Sequence, residues 1–209
     1  MRRSDVLKAS PKMFENDFLD FFTRVHPAVP VVIFAPAIAV LAYLGFDGEG
    51  ATALAWILGG YAFWTLTEYW LHRVVFHFER DNPLVQRFHF MIHGVHHDHP
   101  NDRLRLVMPP SASIPLAALF LLGFAAVLGP GAWEAFGAGF LGGYLAYDML
   151  HYHVHHHVPK SRMGKKLREL HMRHHFQDGD RGYGVSAPWW DHVFGTAPRQ
   201  RPRRGATHE

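Results

Sequence analysis

Residues 51–77 read ATALAWILGGYAFWTLTEYWLHRVVFH: an apolar run from Ala51 to Leu71 that ends on two histidines, His72 and His77. The run is close to the ~20 residues that cross ~30 Å of hydrocarbon. Immediately before it stand Asp-Gly-Glu-Gly at 47–50 and a second apolar run, Pro27 to Phe46, and no Lys or Arg occurs between Arg24 and Arg73. The pattern repeats further on. Ala112–Leu128, Gly-Pro-Gly at 129–131 and Ala132–Leu150 follow one another in a stretch that has no Lys or Arg between Arg105 and Lys160. Four spans are expected, at about 28–46, 51–71, 112–128 and 132–150, joined by short breaks into two helical hairpins. Buried helices of a soluble bundle are the alternative, which four consecutive runs without a basic residue disfavour. Ala112–Leu128 is the weakest span, being short and carrying Pro115.

Two hairpins leave both termini and the loop His72–Ser111 on one side. Every Lys and Arg is then on that side, which the positive-inside rule makes cytoplasmic. The histidines fall there too. Of 18 in the chain, most form four clusters: His72 with His77; His93, His96 and His97; His151 and His155; His171, His174 and His175. Two clusters share the form H-x-x-H-H. A lone histidine is ordinarily a surface or hydrogen-bonded core residue, but four clusters at recurring spacing are not explained that way. Imidazole is neutral near pH 7 and offers a lone pair, so it is the commonest metal ligand. On a helix, positions i, i+3 and i+4 share a face, so each H-x-x-H-H is expected to converge, as are His151 and His155. His72 and His77 lie roughly 140° apart on a helix of ~3.6 residues per turn. They would serve different metals, or the helix would unwind between them. Ten such histidines exceed what one ion of four to six ligands takes and suit two.

Without cysteine there is no disulfide, thiolate iron–sulfur cluster or Cys-type zinc finger. Net charge is +3, and no nucleic-acid partner is expected. Residues 1–26 read as an N-terminal segment whose 12–24 stretch, alternating aromatic and acidic residues, is an interfacial amphipathic helix or an ordinary surface helix. Residues 27–198 form the membrane domain, and 199–209, rich in Arg and Pro, read as a disordered basic tail.

The order of motifs resembles the integral-membrane fatty acid hydroxylase and sterol desaturase superfamily, most closely the fatty acid 2-hydroxylases. The matching stretches are Glu68-Tyr-Trp-Leu-His-Arg73 with Phe76-His77, His93-Gly-Val-His-His97, and Arg105-Leu-Val-Met-Pro-Pro110. Beyond them come Tyr147-Asp148 through His155, Leu170-His-Met-Arg-His-His175, Gly182-Tyr-Gly-Val-Ser186 and Trp190-Asp-His-Val-Phe-Gly-Thr196. The resemblance implies an all-α protein with a four-helix membrane base and a cytosolic helical cap. It implies a di-iron site (zinc in some preparations) held by His72, His77, His93, His96, His97, His151, His155, His171, His174 and His175. It also implies an O2-dependent monooxygenase acting at C2 of a fatty acid or of a sphingolipid-like acyl chain. Many eukaryotic relatives carry a haem-bearing cytochrome b5 domain, for which this chain has no room. A separate donor (cytochrome b5-like, ferredoxin or reductase) and a bacterial inner membrane are therefore expected. His153, His156 and His157 blur the third cluster, and His89, one turn before His93, reads as a residue supporting the ligands or a structural one rather than a ligand. Ten neutral imidazoles leave the metal charge uncompensated, so Glu68 and Asp148 are expected to hold imidazole N–H groups. A sterol or carotenoid hydroxylase or desaturase, and a metal-binding membrane transporter, remain the alternatives.

Overall fold

The computed structural model describes residues 2–78 and 81–199, and among them every regular element is helical. Two short helices come first, α1 (Arg3–Leu7) and α2 (Asp17–Phe21). The helix expected over 12–24 is thus confined to little more than one turn. Asn16 caps it by accepting the N–H groups of Phe18 and Leu19, and Asp20 turns inward to accept the Met13 N–H at 2.7 Å. Phe18, Phe21 and Phe22 stay exposed. The tail beyond Arg199 lies outside the described residues.

The bundle consists of α3 (Ala28–Glu49), α4 (Ala53–Trp70), α7 (Pro110–Val127) and α8 (Ala132–His156). Between α4 and α7 lie α5 (Pro83–His89) and α6 (Val95–Asp98). The first break falls slightly later than the Asp-Gly-Glu-Gly run suggests: α3 continues to Glu49 and reverses at Gly50, whose φ of 55° a side chain would oppose. Helix α8 is the centre. Contacts Phe34–Tyr144 and Gly45–Ala135 make α3 antiparallel to it, and Phe120–Phe140 with Phe124–Phe136 do the same for α7. Ile57 against Gly139 and Trp64 against Gly143 make α4 parallel to it. A Cβ on Gly139 would collide with the Ile57 carbonyl, so this pair of helices packs backbone to backbone.

Two helical segments, Ala28–Phe76 and Pro110–Val127, are long and apolar enough to cross a membrane. Their outer faces are not covered by protein: Val32, Val40 and Tyr43 on α3 and Leu119, Leu122 and Val127 on α7 are exposed. In water such surface is costly, whereas lipid solvates it. The helix directions bring the C-terminal ends of α4 and α8 and the N-terminal ends of α3 and α7 to one end of the bundle. There α9 (Arg162–Phe176) and α10 (Trp189–Val193) complete a cap.

Candidate metal centre

All ten candidate histidines meet in this cap, in two groups of five: His72, His77, His93, His97 and His174, and His96, His151, His155, His171 and His175. In each, one ring nitrogen per residue lies within 4.8 Å of every other. The groups adjoin, with the His97 and His175 rings stacked 4.2 Å apart between centroids. His89, His153, His156 and His157 belong to neither.

Membership differs from what spacing suggests. Each H-x-x-H-H is divided: His93 and His97 join the first group while His96 joins the second, and His171 and His175 join the second while His174 joins the first. The i+3 and i+4 residues are consecutive and point about 100° apart, so they address different ions; the i and i+4 residues, ~40° apart, share one. His72 and His77 do share a group. The segment Leu71–Phe76 widens into a π-helix, closed by the His77 N–H on the His72 carbonyl at 3.2 Å. Five residues then make about one turn.

The side chains suit divalent metal. His72 Nδ1 donates to the Tyr183 carbonyl and His174 Nδ1 to the Arg181 carbonyl, each at 2.7 Å. That leaves their Nε2 lone pairs pointing inward. There His72 Nε2 faces His93 Nε2 at 3.1 Å, and His97 Nε2 faces His93 Nε2 at 2.9 Å. In the second group His155 and His175 Nε2 face His171 Nε2 at 2.8 and 3.1 Å, and the Nε2 atoms of His96 and His151 are buried without a partner. Lone pairs crowded on one point repel unless a cation takes them. Burial also keeps these rings neutral, as ligation requires. It pushes His174 down to about 4, and burial with neighbouring imidazoles pushes His77 to about 3 and His97 to about 2. His96, His171 and His175 fall well below 6.5 for the same two reasons.

The supporting groups are not the expected carboxylates. Glu68 accepts the Ser186 N–H at 2.7 Å and the Ser186 hydroxyl. Asp148 accepts from the Met108 N–H and the Tyr144 hydroxyl, both at 3.4 Å. Neither carboxylate is hydrogen-bonded to an imidazole; backbone carbonyls of the 181–183 loop do that work in the first group. Glu68 anchors this loop from one side. Asp191 anchors it from another, accepting the N–H groups of Tyr183 and Gly184 at 2.9 Å each. Gly182, at φ 80°, lets the chain turn there. The Gly-Tyr-Gly-Val-Ser and Trp-Asp motifs marked this region, but nothing local in them says that their carbonyls face histidines.

A cavity of about 220 Å³ lies beside both groups. Its lining includes His93, His96 and His151 together with Met13, Phe14 and Arg105. Met108 and Pro109, just before α7, and Tyr147 of α8 line it as well.

An all-helical protein whose apolar bundle gathers ten largely buried histidines at one end, in two groups that could hold metal ions, has the form of a histidine-rich membrane enzyme. The comparisons narrow this. The fatty acid hydroxylase family matches residues 57–196, and the chain belongs to that family. It is 39% identical over 199 residues to a dihydroceramide fatty acyl 2-hydroxylase of Arabidopsis thaliana, covering 92% of this chain and 82% of that protein. It is 42% identical over 137 residues to a ceramide very long chain fatty acid hydroxylase of Saccharomyces cerevisiae, covering 64% of this chain and 35% of the other. Among solved structures, full-length scs7p, with only its hydroxylase domain visible, superposes with a TM-score of 0.82. The two share 31% identity over 93% of this chain and 82% of that one.

Proposed function

We propose that this protein is an O2-dependent hydroxylase that places one hydroxyl at C2 of a fatty acid or of the fatty acyl chain of a sphingolipid-like lipid. The carrying observation is that two five-histidine groups meet one cavity at the end of an apolar bundle, in a chain of this family. The ten histidines would hold two iron ions, or zinc where it is more available. Iron so held supplies an oxidising power toward C–H bonds that side chains lack. The chain itself keeps the imidazoles neutral, fixes their tautomers and admits the substrate.

Depth supports the position of attack. An acyl lipid keeps its carbonyl at the membrane surface and its methyl end far below. A cavity at the helix ends therefore meets the first carbons after the carbonyl; a deeper site would suit mid-chain chemistry. Inserting one oxygen atom while the other leaves as water consumes two electrons. Imidazoles do not provide them, so a separate cytochrome b5-like, ferredoxin or reductase partner is proposed. Four spans are proposed too, with the histidine end cytoplasmic because the Lys and Arg residues gather there. Transport sites sit near the bilayer midplane, and these histidines lie at helix ends, which favours the enzyme. The activities of the relatives favour an acyl substrate over a sterol or carotenoid.

The test is mass spectrometry of lipids from expressing cells under ¹⁸O-labelled O2. A 2-hydroxyacyl product carrying one ¹⁸O is expected. A mid-chain double bond, or a hydroxylated sterol or carotenoid with unchanged acyl chains, overturns the proposal.

A further inference from the structure

Met13 and Phe14 border two voids at once. One is the cavity of about 220 Å³ that His93, His96 and His151 also line. The other is a cleft of about 620 Å³ whose remaining lining, Lys12, Glu15, Asn16, Leu19 and Arg87, is exposed. The two shared residues are themselves half-buried, and their place is fixed. Buried Asp20 accepts the Met13 N–H at 2.7 Å, Arg24 Nε at 3.0 Å and Arg105 Nη2 at 2.9 Å. On either side of them the segment is pinned to the stretch between α6 and α7: the Asn101 N–H donates to the Leu7 carbonyl at 3.0 Å, and the Val25 N–H to the Leu104 carbonyl at 2.6 Å.

A pocket that encloses a small ligand whole measures ~300–1,000 Å³. The cavity beside the histidines is smaller than that, so most of an acyl lipid must lie in neighbouring space. Toward the bundle that space is apolar: Met108, which lines the cavity, also lines a void of about 20 Å³ with Trp64, Leu116 and Phe120. Past Met13 and Phe14 it is polar. An acyl lipid has the same order, with headgroup, then carbonyl and C2, then hydrocarbon. We propose that the cleft beyond Met13 and Phe14 receives the headgroup of the substrate lipid, and that this headgroup is uncharged and bears amide and hydroxyl groups. This rests on the acyl 2-hydroxylase reading above. Charge decides the class of headgroup. Lys12 is ion-paired with Asp17, and the other cation, Arg87, is offset by Glu15. A free carboxylate or a phosphate gains little from a site without net charge, whereas an amide or a hydroxyl both donates and accepts and finds partners of each kind. The bilayer is within reach: Phe18 and Phe21 are exposed on α2, the helix that gives Leu19 to the cleft, and such side chains settle at the headgroup boundary. The cleft draws on residues 12–19, outside the family match at 57–196.

The chain has no cysteine, so a thiol introduced at one position reports on that position alone. Glu15→Cys, in the cleft, and Val158→Cys, exposed and outside it, are made in the full metal-loaded chain in lipid nanodiscs. Maleimide labelling is timed without O2, so that lipid binds and is not consumed, with an N-acyl dihydroceramide, with the free fatty acid of equal chain length, or with neither. Near ten times its Kd the dihydroceramide is expected to slow labelling of Glu15→Cys about 10-fold. The fatty acid is expected to leave that rate unchanged, and neither lipid to affect Val158→Cys. Adding Arg87→Ala is expected to raise the half-protecting concentration about 10-fold, the worth of one hydrogen bond; adding Arg162→Ala, exposed on α9, is expected to leave it. No protection by the dihydroceramide, or equal protection by the fatty acid, overturns the inference. So does a half-protecting concentration that Arg87→Ala leaves alone or that Arg162→Ala raises as much. Lipids of the cells expressing these variants are read for 2-hydroxyacyl product. Product without protection refutes the headgroup cleft and keeps the function; protection without product supports the cleft and refutes the function.

Discussion

Replacing Asp191 with Asn should loosen one metal ion and spare the other. Asp191 is buried and accepts three hydrogen bonds: the N–H groups of Tyr183 and Gly184 at 2.9 Å each, and the Thr196 hydroxyl at 2.8 Å. Asparagine keeps one carbonyl oxygen and puts an NH2 group at the other position. With Oδ1 still serving Tyr183 and Thr196, that NH2 meets the Gly184 N–H, donor against donor. A hydrogen bond to a charged group contributes ~1.5–3 kcal/mol, and a buried unsatisfied donor costs ~1–3 kcal/mol. Loop order should fall by ~2.5 kcal/mol, the low ends of the two ranges together, because the loop can relax. This loop carries the two carbonyls that orient His72 and His174, and both histidines sit in the first group. Loss of such support typically weakens metal binding by ~10–100-fold. The second group has no such dependence; the Nδ1 atoms of its His171 and His175 are buried without partners. The assay is metal release into excess chelator, followed by elemental analysis of the retained protein. Two phases are expected for Asp191→Asn, with one ion per chain leaving ~10–100 times faster than in wild type. Release of both ions together, or of neither faster than in wild type, would falsify the assignment of the loop to the first group.

Two other outcomes follow from the same centre. His174→Ala should abolish hydroxylation and leave fewer than two ions bound, whereas His157→Ala, at an exposed position outside both groups, should retain most activity; equal damage, read by product formation, contradicts the grouping. Acidification should destabilise the metal-free cap. His77, His97 and His174 have folded values of about 3, 2 and 4 against 6.5 when unfolded. The unfolded chain therefore binds more protons in that window, and stability present above pH ~6.5 is lost as pH falls toward the folded values, by ~1.4 kcal/mol per pH unit per histidine. Melting temperatures at pH 7.5 and 5.5 check this, and equal values contradict it.

The sequence by itself determined the apolar runs, the hairpin breaks and all ten histidines that meet. These are local properties, since hydrophobic length, the absence of Lys and Arg, and clustering at one end of each run are visible along the chain. Tertiary structure decided which histidine belongs to which group. Each group draws on three separate segments of the chain, and spacing within one helix cannot say which neighbours stand opposite. His96 meets His151 and His171 only because α6, α8 and α9 converge. The five-residue spacing of His72 and His77 left two outcomes open, and the widened turn at Leu71–Phe76 decides for the one in which they share a group. The carboxylates were misjudged for a related reason. Glu68 and Asp148 stand one turn from histidines along their helices, but an imidazole N–H is met by whatever packs against it, and for His72 and His174 that is the Tyr183 and Arg181 carbonyls. The Arg105–Asp20 pair joins residues 85 positions apart; long-range pairing of this kind leaves no periodic trace, so only the folded chain could place the N-terminal segment against the cavity.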